Sequence, residues 1–276
     1  MENPEYLYEH SFLDAQIIEW IDVCREQFKS WFSLANQVNS HSLSSMFQLD
    51  AHNQVIHELM LASLYLRTLH NYQGAILMAE RGMVTQARVL ARAMLDSIFP
   101  LVAISKDHEF AKVYAENHLL QQVKYYEKAK KLENARIPEI DDPKNLEKEE
   151  ELRKQIKDLG VKHITTEELA RRADLYEWYL TAYALLSGTV HSRAGDLEEY
   201  LVLTEEQEIK ELDWGPRTKG MKTLMMTAIE SMLIAVEHIA CISPKHPTKE
   251  NNDFRSKLED LVQDEVIQPE VTNDDI

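Results

Sequence analysis

Residues that break helices or start tight turns are scarce in this sequence. It contains seven glycines and eight prolines among 276 residues, and no Asn-Gly or Asp-Gly pair that would mark a two-residue hairpin. A hairpin-rich fold therefore has little support, and the long stretches between these residues favour helices. The two cysteines, Cys24 and Cys241, are too few and too distant in sequence for a disulfide framework or a thiolate metal cluster.

Long apolar runs and a targeting signal are also lacking. No uninterrupted apolar stretch reaches the roughly 18 residues of a membrane-spanning helix, and the first residues, MENPEYLYEHSF, lack the basic flank and apolar run of a signal peptide. The formal net charge of −17 disfavours general affinity for nucleic-acid phosphates, although it leaves room for a local basic pocket. We therefore expect a cytoplasmic protein without membrane association.

Hydrophobic periodicity predicts an all-α protein, an up-and-down helical bundle with a charged helical insertion and an acidic C-terminal tail. One domain would cover residues 1–249, with the insertion at 133–172. The tail would cover 250–276, where nine acidic and two basic residues predict a solvated or disordered end with a short helix over 254–262. The longer helices are predicted at about 12–38, 53–80, 80–99, 109–132, 145–159, 175–191 and 219–242.

Local signals predict where several of these helices start and stop. Gly82 follows a helical run and is predicted to close it, as glycine commonly does. Thr165 and Glu168 match a capping box at the start of a helix. The polar stretch NSHSLSS, residues 39–45, is predicted to interrupt helical structure. Pro100 is predicted to kink or end the third helix because it has no backbone N–H group.

The third predicted helix, ERGMVTQARVLARAMLDSIF, is apolar nearly all round, which is typical of a helix buried at the centre of a bundle. The exception is a narrow stripe of Arg88, Arg92 and Asp96, each four residues apart. Two guanidinium groups in such a place need carboxylates, phosphates or carbonyls as partners. An internal salt-bridge network and a pocket for an anionic ligand are the two alternatives. The candidate carboxylates for the network are Glu58, Glu80, Glu230 and Glu237.

A second group of candidate residues lies on the helix predicted over 175–191. One helix face is predicted to hold Tyr176, Leu180, Tyr183, Ser187 and His191. His191 lies near a helix end, which favours the protonated ring, so it is a candidate general acid or base. A Ser187–His191 nucleophile pair and a simple packing role for His191 are the alternatives. No metal-ligand spacing or glycine-rich phosphate loop is present, so the sequence predicts neither metal nor cofactor.

Two segments carry a resemblance to a known family. ERGMVTQARVLARAMLDSIFPLVAISKD and LLSGTVHSRAGD resemble the prokaryotic domain-of-unknown-function family 5677, over about residues 61–202. The helix QARVLARAMLDSIF is also similar to the first core helix of HEPN domains. Many HEPN domains are RNA-cleaving toxins or defence effectors that act as dimers. This resemblance implies a helical fold and an RNA substrate.

The active motif of HEPN domains is an arginine separated from a histidine by four to six residues. This sequence has no arginine at that spacing before His191, and Arg193 follows the histidine instead. A catalytic arginine would therefore have to come from the third helix, as Arg88 or Arg92.

Two functional hypotheses follow. In the first, an HEPN-like protein engages RNA or another phosphate-bearing ligand, as a metal-independent ribonuclease of a defence or toxin system. Arg88 and Arg92 would bind phosphate and His191 would transfer protons at a ribose hydroxyl. In the second, the protein is a non-catalytic interaction or scaffold protein with structural salt bridges. It would bind a protein partner or a second copy through the insertion or the tail.

Overall fold

The structure is a computed structural model that describes residues 12–130, 143–190, 194–204, 206–243 and 248–267. It is helical almost throughout these ranges, so the predicted all-α bundle is confirmed. The helices are α1 (Ile17–Gln27), α2 (Lys29–Met46), α3 (Ile56–Glu80), α4 (Val84–Lys106), α5 (Phe110–Glu116), α6 (His118–Lys130), α7 (Pro143–Leu159), α8 (Thr166–Arg172), α9 (Tyr176–Trp178), α10 (Ala184–Val190), α11 (Ala194–Leu197), α12 (Met221–His238) and α13 (Thr248–Ile267). A π-helical turn (Tyr179–Tyr183) joins α9 to α10, and 3-10 turns lie at Glu198–Tyr200 and Ala240–Ile242.

Helix α4 lies at the centre of the bundle, in contact with α3, α8, α10 and α12. Met94 and Ile98 are completely buried, as expected for the helix that was predicted to be central. Burial of one such side chain contributes about 1.5–3 kcal/mol. Of the kink or end predicted at Pro100, the end is excluded, because α4 continues to Lys106. Pro100 is itself buried, so packing on several sides outweighs the missing hydrogen bond.

The polar stretch 39–45 is helical, contrary to the prediction, and the break lies earlier, at Phe28 between α1 and α2. Ser42 donates its hydroxyl proton to the carbonyl of Val38 on the preceding turn, at 2.8 Å. Tyr65 of α3 donates to the carbonyl of Ser42, also at 2.8 Å. Serine hydroxyls that bond within the helix do not compete for its N–H groups, and the contact with α3 holds this segment in place.

Helix α3 is closed by a glycine cap, as predicted. Gly82 has a left-handed φ of +69°, and the N–H of Met83 donates to the carbonyl of Met78 at 2.9 Å. A Cβ atom at Gly82 would lie only 2.6 Å from Cβ of Pro216. Arg217 donates its backbone N–H to the Gly82 carbonyl at 3.0 Å. The cap therefore also holds the segment that leads into α12 against α4.

Two further boundaries can be compared with the sequence. Thr165 accepts a hydrogen bond from the N–H of Glu168 at 3.1 Å, which confirms the predicted cap of α8. The helix predicted over 109–132 is divided at Asn117 into α5 and α6. The side chain of Asn117 donates to the carbonyl of Lys162, so this break depends on a contact with a distant segment.

The chain between α11 and α12 forms a small antiparallel hairpin that the sequence did not predict. Strand β1 (Leu201–Leu203) pairs with β2 (Ile209–Leu212), and an irregularity in register follows Val202. Helix α13 covers the first part of the predicted acidic tail and is longer than the helix predicted there. Leu258 of α13 is only 5% exposed and packs into the core.

Candidate functional site

Arg92 of α4 lies against the helix formed by α9, the π-helical turn and α10. Its Nε donates to Oγ of Ser187 at 2.9 Å, and its two terminal nitrogens donate to Asp96 and to the hydroxyl of Tyr183. The guanidinium carbon is 3.4 Å from the centroid of the Tyr183 ring, a cation–π contact. The Arg92 side chain is only 13% exposed. The structure thus brings together Arg92, Asp96, Tyr183 and Ser187.

The hydroxyl groups around Arg92 are already engaged. Ser187 donates its proton to the carbonyl of Tyr183 at 2.7 Å while it accepts from Arg92. Burial raises the pKa of the Tyr183 hydroxyl, so this group stays neutral at ordinary pH. His191 and Arg193 lie outside the described residues, and their roles remain predictions. Ser187 thus already has one hydrogen-bond donor and one acceptor as partners, and its predicted pairing with His191 remains a prediction.

Arg88 lies one turn earlier on α4 and has a carboxylate of its own. Its Nη1 donates to Glu199 at 3.0 Å, and its Nη2 donates to the carbonyl of Lys219 at 3.4 Å. The hydroxyl of Thr85 donates to the second oxygen of Glu199. The two charged side chains are 25% and 21% exposed. Gly220, with a φ of +77°, faces the guanidinium so closely that a Cβ atom there would collide with it.

A further arginine holds the backbone around Glu199. Arg217 donates to the Glu199 carbonyl at 2.5 Å and to the Asp213 carbonyl at 2.9 Å. Its guanidinium carbon lies 4.2 Å from the centroid of the Tyr200 ring. Arg88 and Arg217 therefore fasten the segment around the hairpin to the start of α4.

Glu80, Glu230 and Glu237 form ion pairs, but with other arginines than those of α4. Glu80 receives two hydrogen bonds of 3.0 Å from Arg25 of α1, and its side chain is 7% exposed. Glu230 and Glu237 both bind Arg255 of α13, at 3.0 and 2.8 Å. The sequence predicts these three carboxylates as partners of the α4 arginines. Instead, Glu80 connects α1 to α3, and Glu230 and Glu237 connect α13 to α12.

The π-helical turn changes which residues share a face with Tyr183. Tyr179 stacks on Tyr183 with ring centroids 5.1 Å apart, and Tyr176 stacks on Tyr179 at 6.0 Å. Leu180, predicted on that face, is instead 56% exposed. A π-helical turn contains more residues than an α-helical turn, so positions beyond it are rotated relative to an unbroken α-helix.

The partners that sequence reasoning missed are distant in the chain. Glu199 lies 111 residues from Arg88, and Arg25 lies 55 residues from Glu80. No spacing rule links residues so far apart, and only the fold brings them together. Within the described ranges, no three His, Cys, Asp or Glu residues are grouped to hold a metal ion. No helix in the same ranges has the length and apolar character required to cross a bilayer.

A family model described as "Family of unknown function (DUF5677)" matches residues 58–209, more than half of the chain. The protein belongs to this family. The DUF5677 region contains Arg88, Arg92, Tyr183 and Ser187, whereas α12 and α13 lie beyond it. This match confirms the predicted resemblance to family 5677. No curated protein and no solved structure matches the chain.

Proposed function

We propose that the protein is a non-catalytic helical interaction protein, in which the arginines of α4 are structural. Its binding surface is the outward face of the helix formed by residues 176–190. The observation that carries this proposal is a run of thirteen residues without charge, WYLTAYALLSGTV, at 178–190. Charged residues make up 28% of the sequence, and a solvent-facing helix ordinarily carries several of them.

The outward face of this helix is apolar as well as uncharged. Leu180 is 56% exposed and Leu185 is 68% exposed, and Thr181 and Ala184 between them are also exposed. Single exposed leucines are common on protein surfaces, but neighbouring ones on a helix without charges mark a contact surface. Burial of each leucine by a partner would contribute about 1.5–3 kcal/mol. We name Leu180, Thr181, Ala184 and Leu185 the outer face.

The state of the arginines supports the same proposal. Arg88 and Arg92 each have a carboxylate partner, Glu199 and Asp96, and further hydrogen bonds to neutral oxygens. An incoming phosphate would meet these carboxylates and would have to displace them from the guanidinium groups. Such displacement leaves a partly buried carboxylate without its partner, which is costly.

The test is a double substitution of the outer face, Leu180→Glu with Leu185→Glu. Leu77→Glu with Val113→Glu is the matched control, because these residues are 50% and 48% exposed elsewhere on the molecule. Each tagged protein is purified under native conditions from the cells that produce it. We expect a partner that copurifies with the wild type and the control but not with the outer-face variant, and that binds again when both proteins are pure. Equal recovery with all three proteins would refute the proposal.

The second candidate function is the engagement of RNA or another phosphate-bearing ligand. The observation in its favour is the placement of Arg92 beside Ser187 and Tyr183, with Asp96 42% exposed. On this proposal an HEPN-like protein of a prokaryotic defence system, acting as a dimer, would cleave RNA without metal, with His191 as the acid or base. RNA cleavage in EDTA by the wild type, lost in His191→Ala, would support it. The absence of cleavage by both proteins, or equal cleavage, would refute the catalytic role.

A further inference from the structure

An open groove lies between the helix of residues 176–190, α12 and α13. Its volume is about 480 Å³, within the range of ligand sites in proteins. Apolar side chains from all three helices line it: Trp178, Ala182, Met226, Leu258 and Val262. Thr181 lines the groove and also belongs to the outer face, so the two surfaces are continuous.

The charges that line the groove are predominantly negative. Arg255 forms ion pairs with Glu230 at 3.0 Å and with Glu237 at 2.8 Å. These pairs offset the energetic cost of burying its charge. Glu259 on α13 is exposed and adds another carboxylate to the lining. The groove is thus lined by two carboxylates, Glu230 and Glu259, and by one guanidinium, Arg255, which is already paired with Glu230. The whole chain carries a net charge of −17, so the groove favours a cationic partner.

The dimensions of the groove fit a helix. The residues that line the groove on α13 extend over 255–263, about 12 Å at 1.5 Å per residue, which corresponds to about two turns of a bound helix. An apolar trough between two helices is the geometry by which proteins bind one face of an amphipathic helix.

We propose that the groove binds an amphipathic helix of a partner protein, with its apolar face on Met226 and Val262 and with lysine or arginine beside Glu259. This inference rests on the proposed function, because it extends the outer face into the groove and specifies the chemistry of the partner. The high negative charge of the chain disfavours a second copy as the occupant, since two acidic surfaces repel.

The test uses a synthetic peptide of about eighteen residues, with leucines along one helix face and lysines on its flanks, labelled with fluorescein. A counterpart peptide has glutamate in place of every lysine. Binding to the full-length protein is measured by fluorescence anisotropy at moderate ionic strength. We expect the lysine peptide to bind and the glutamate peptide to bind at least about tenfold more weakly, because like charges oppose the second complex.

Two pairs of variants locate the binding on the protein. Met226→Glu places a charge on the groove wall, and Leu77→Glu is its control at an exposed site on α3. Glu259→Lys reverses a charge at the groove without touching the core, and Glu19→Lys is its control on the exposed side of α1. We expect both groove variants to weaken binding of the lysine peptide about tenfold, and both controls to leave it unchanged.

Several outcomes would overturn the inference. Equal weakening by groove variants and controls would show general attraction between the peptide and an acidic protein. No binding of either peptide would show that the groove does not accept a helix. A wild-type dimer in light scattering that Met226→Glu converts to a monomer would show a second copy in the groove. If any of these occurs while the outer-face variant still loses its partner, only this inference fails and the proposed function stands.

Discussion

The pairing of Arg88 with Glu199 makes a quantitative prediction about stability. In Arg88→Met the side chain keeps most of its volume but loses its charge, so Glu199 retains only the hydroxyl of Thr85. A hydrogen bond between charged groups contributes about 1.5–3 kcal/mol, and the loss of one partner of a fully buried pair costs about 3–5 kcal/mol. Because both side chains are roughly one-quarter exposed, we expect a loss of about 2 kcal/mol.

The assay is urea unfolding followed by circular dichroism, with calorimetry for the melting temperature. A loss of about 2 kcal/mol corresponds to a decrease of about 4–8 °C for a domain of this size. Glu199→Gln and the double variant complete a thermodynamic cycle, in which the double variant should lose about 1 kcal/mol less than the sum of the single variants.

Arg171→Met is the control for this cycle, because Arg171 forms an exposed pair with Glu167 within α8, with side chains 55% and 44% exposed. We expect a much smaller effect there, since solvent screens such a pair. If Arg88→Met were no more destabilising than Arg171→Met, the structural role that we assign to Arg88 would be refuted.

Three further predictions concern single residues. Gly220→Ala should be about 1–3 kcal/mol more destabilising than Gly160→Ala. Both glycines have a positive φ, but a Cβ at Gly220 would meet Arg88, whereas nothing lies within 4 Å of a Cβ at Gly160. Equal unfolding free energies of the two variants would contradict this. Burial lowers the pKa of His238, so the unfolded state binds a proton on this residue more readily than the folded state. Stability should therefore decrease as pH falls below about 6.5. The variant His238→Gln should flatten the dependence of the melting temperature on pH, and an unchanged dependence would contradict this assignment. Burial raises the pKa of the Cys24 thiol to about 11, whereas Cys241 is exposed. Ellman's reagent should therefore modify one thiol in the folded protein and two thiols in denaturant. Rapid reaction of both thiols in the folded protein would contradict the structure.

Features of the fold that depend on neighbouring residues could be predicted from the sequence. Gly82 ends α3 because the left-handed backbone conformation required there favours glycine. Thr165 starts α8 because its side-chain oxygen accepts a hydrogen bond from the N–H of Glu168. Helix α4 carries apolar residues on nearly all of its faces, and this pattern correctly predicted its position at the centre of the bundle. Each of these signals is contained within a few turns of the chain.

Features that depend on distant segments could not be predicted in this way. The stretch 39–45 is rich in serine, yet it is helical because Tyr65 from α3 bonds to its backbone. The hairpin and the partnership of Glu199 with Arg88 join segments about one hundred residues from α4. The π-helical turn rotates Leu180 to the surface, although an unbroken helix would place it beside Tyr183. Periodicity carries no information about such an insertion.

RNA binding by the wild type and by Arg92→Met tests most directly whether the arginines of α4 serve the fold or a ligand. A fluorescently labelled single-stranded RNA is titrated at low ionic strength, where phosphate contacts are strongest, and circular dichroism confirms that both proteins are folded. Our account predicts that both proteins give the same curve, since Arg92 is already bound to Asp96, Tyr183 and Ser187. A wild-type complex that Arg92→Met weakens about tenfold or more would contradict it.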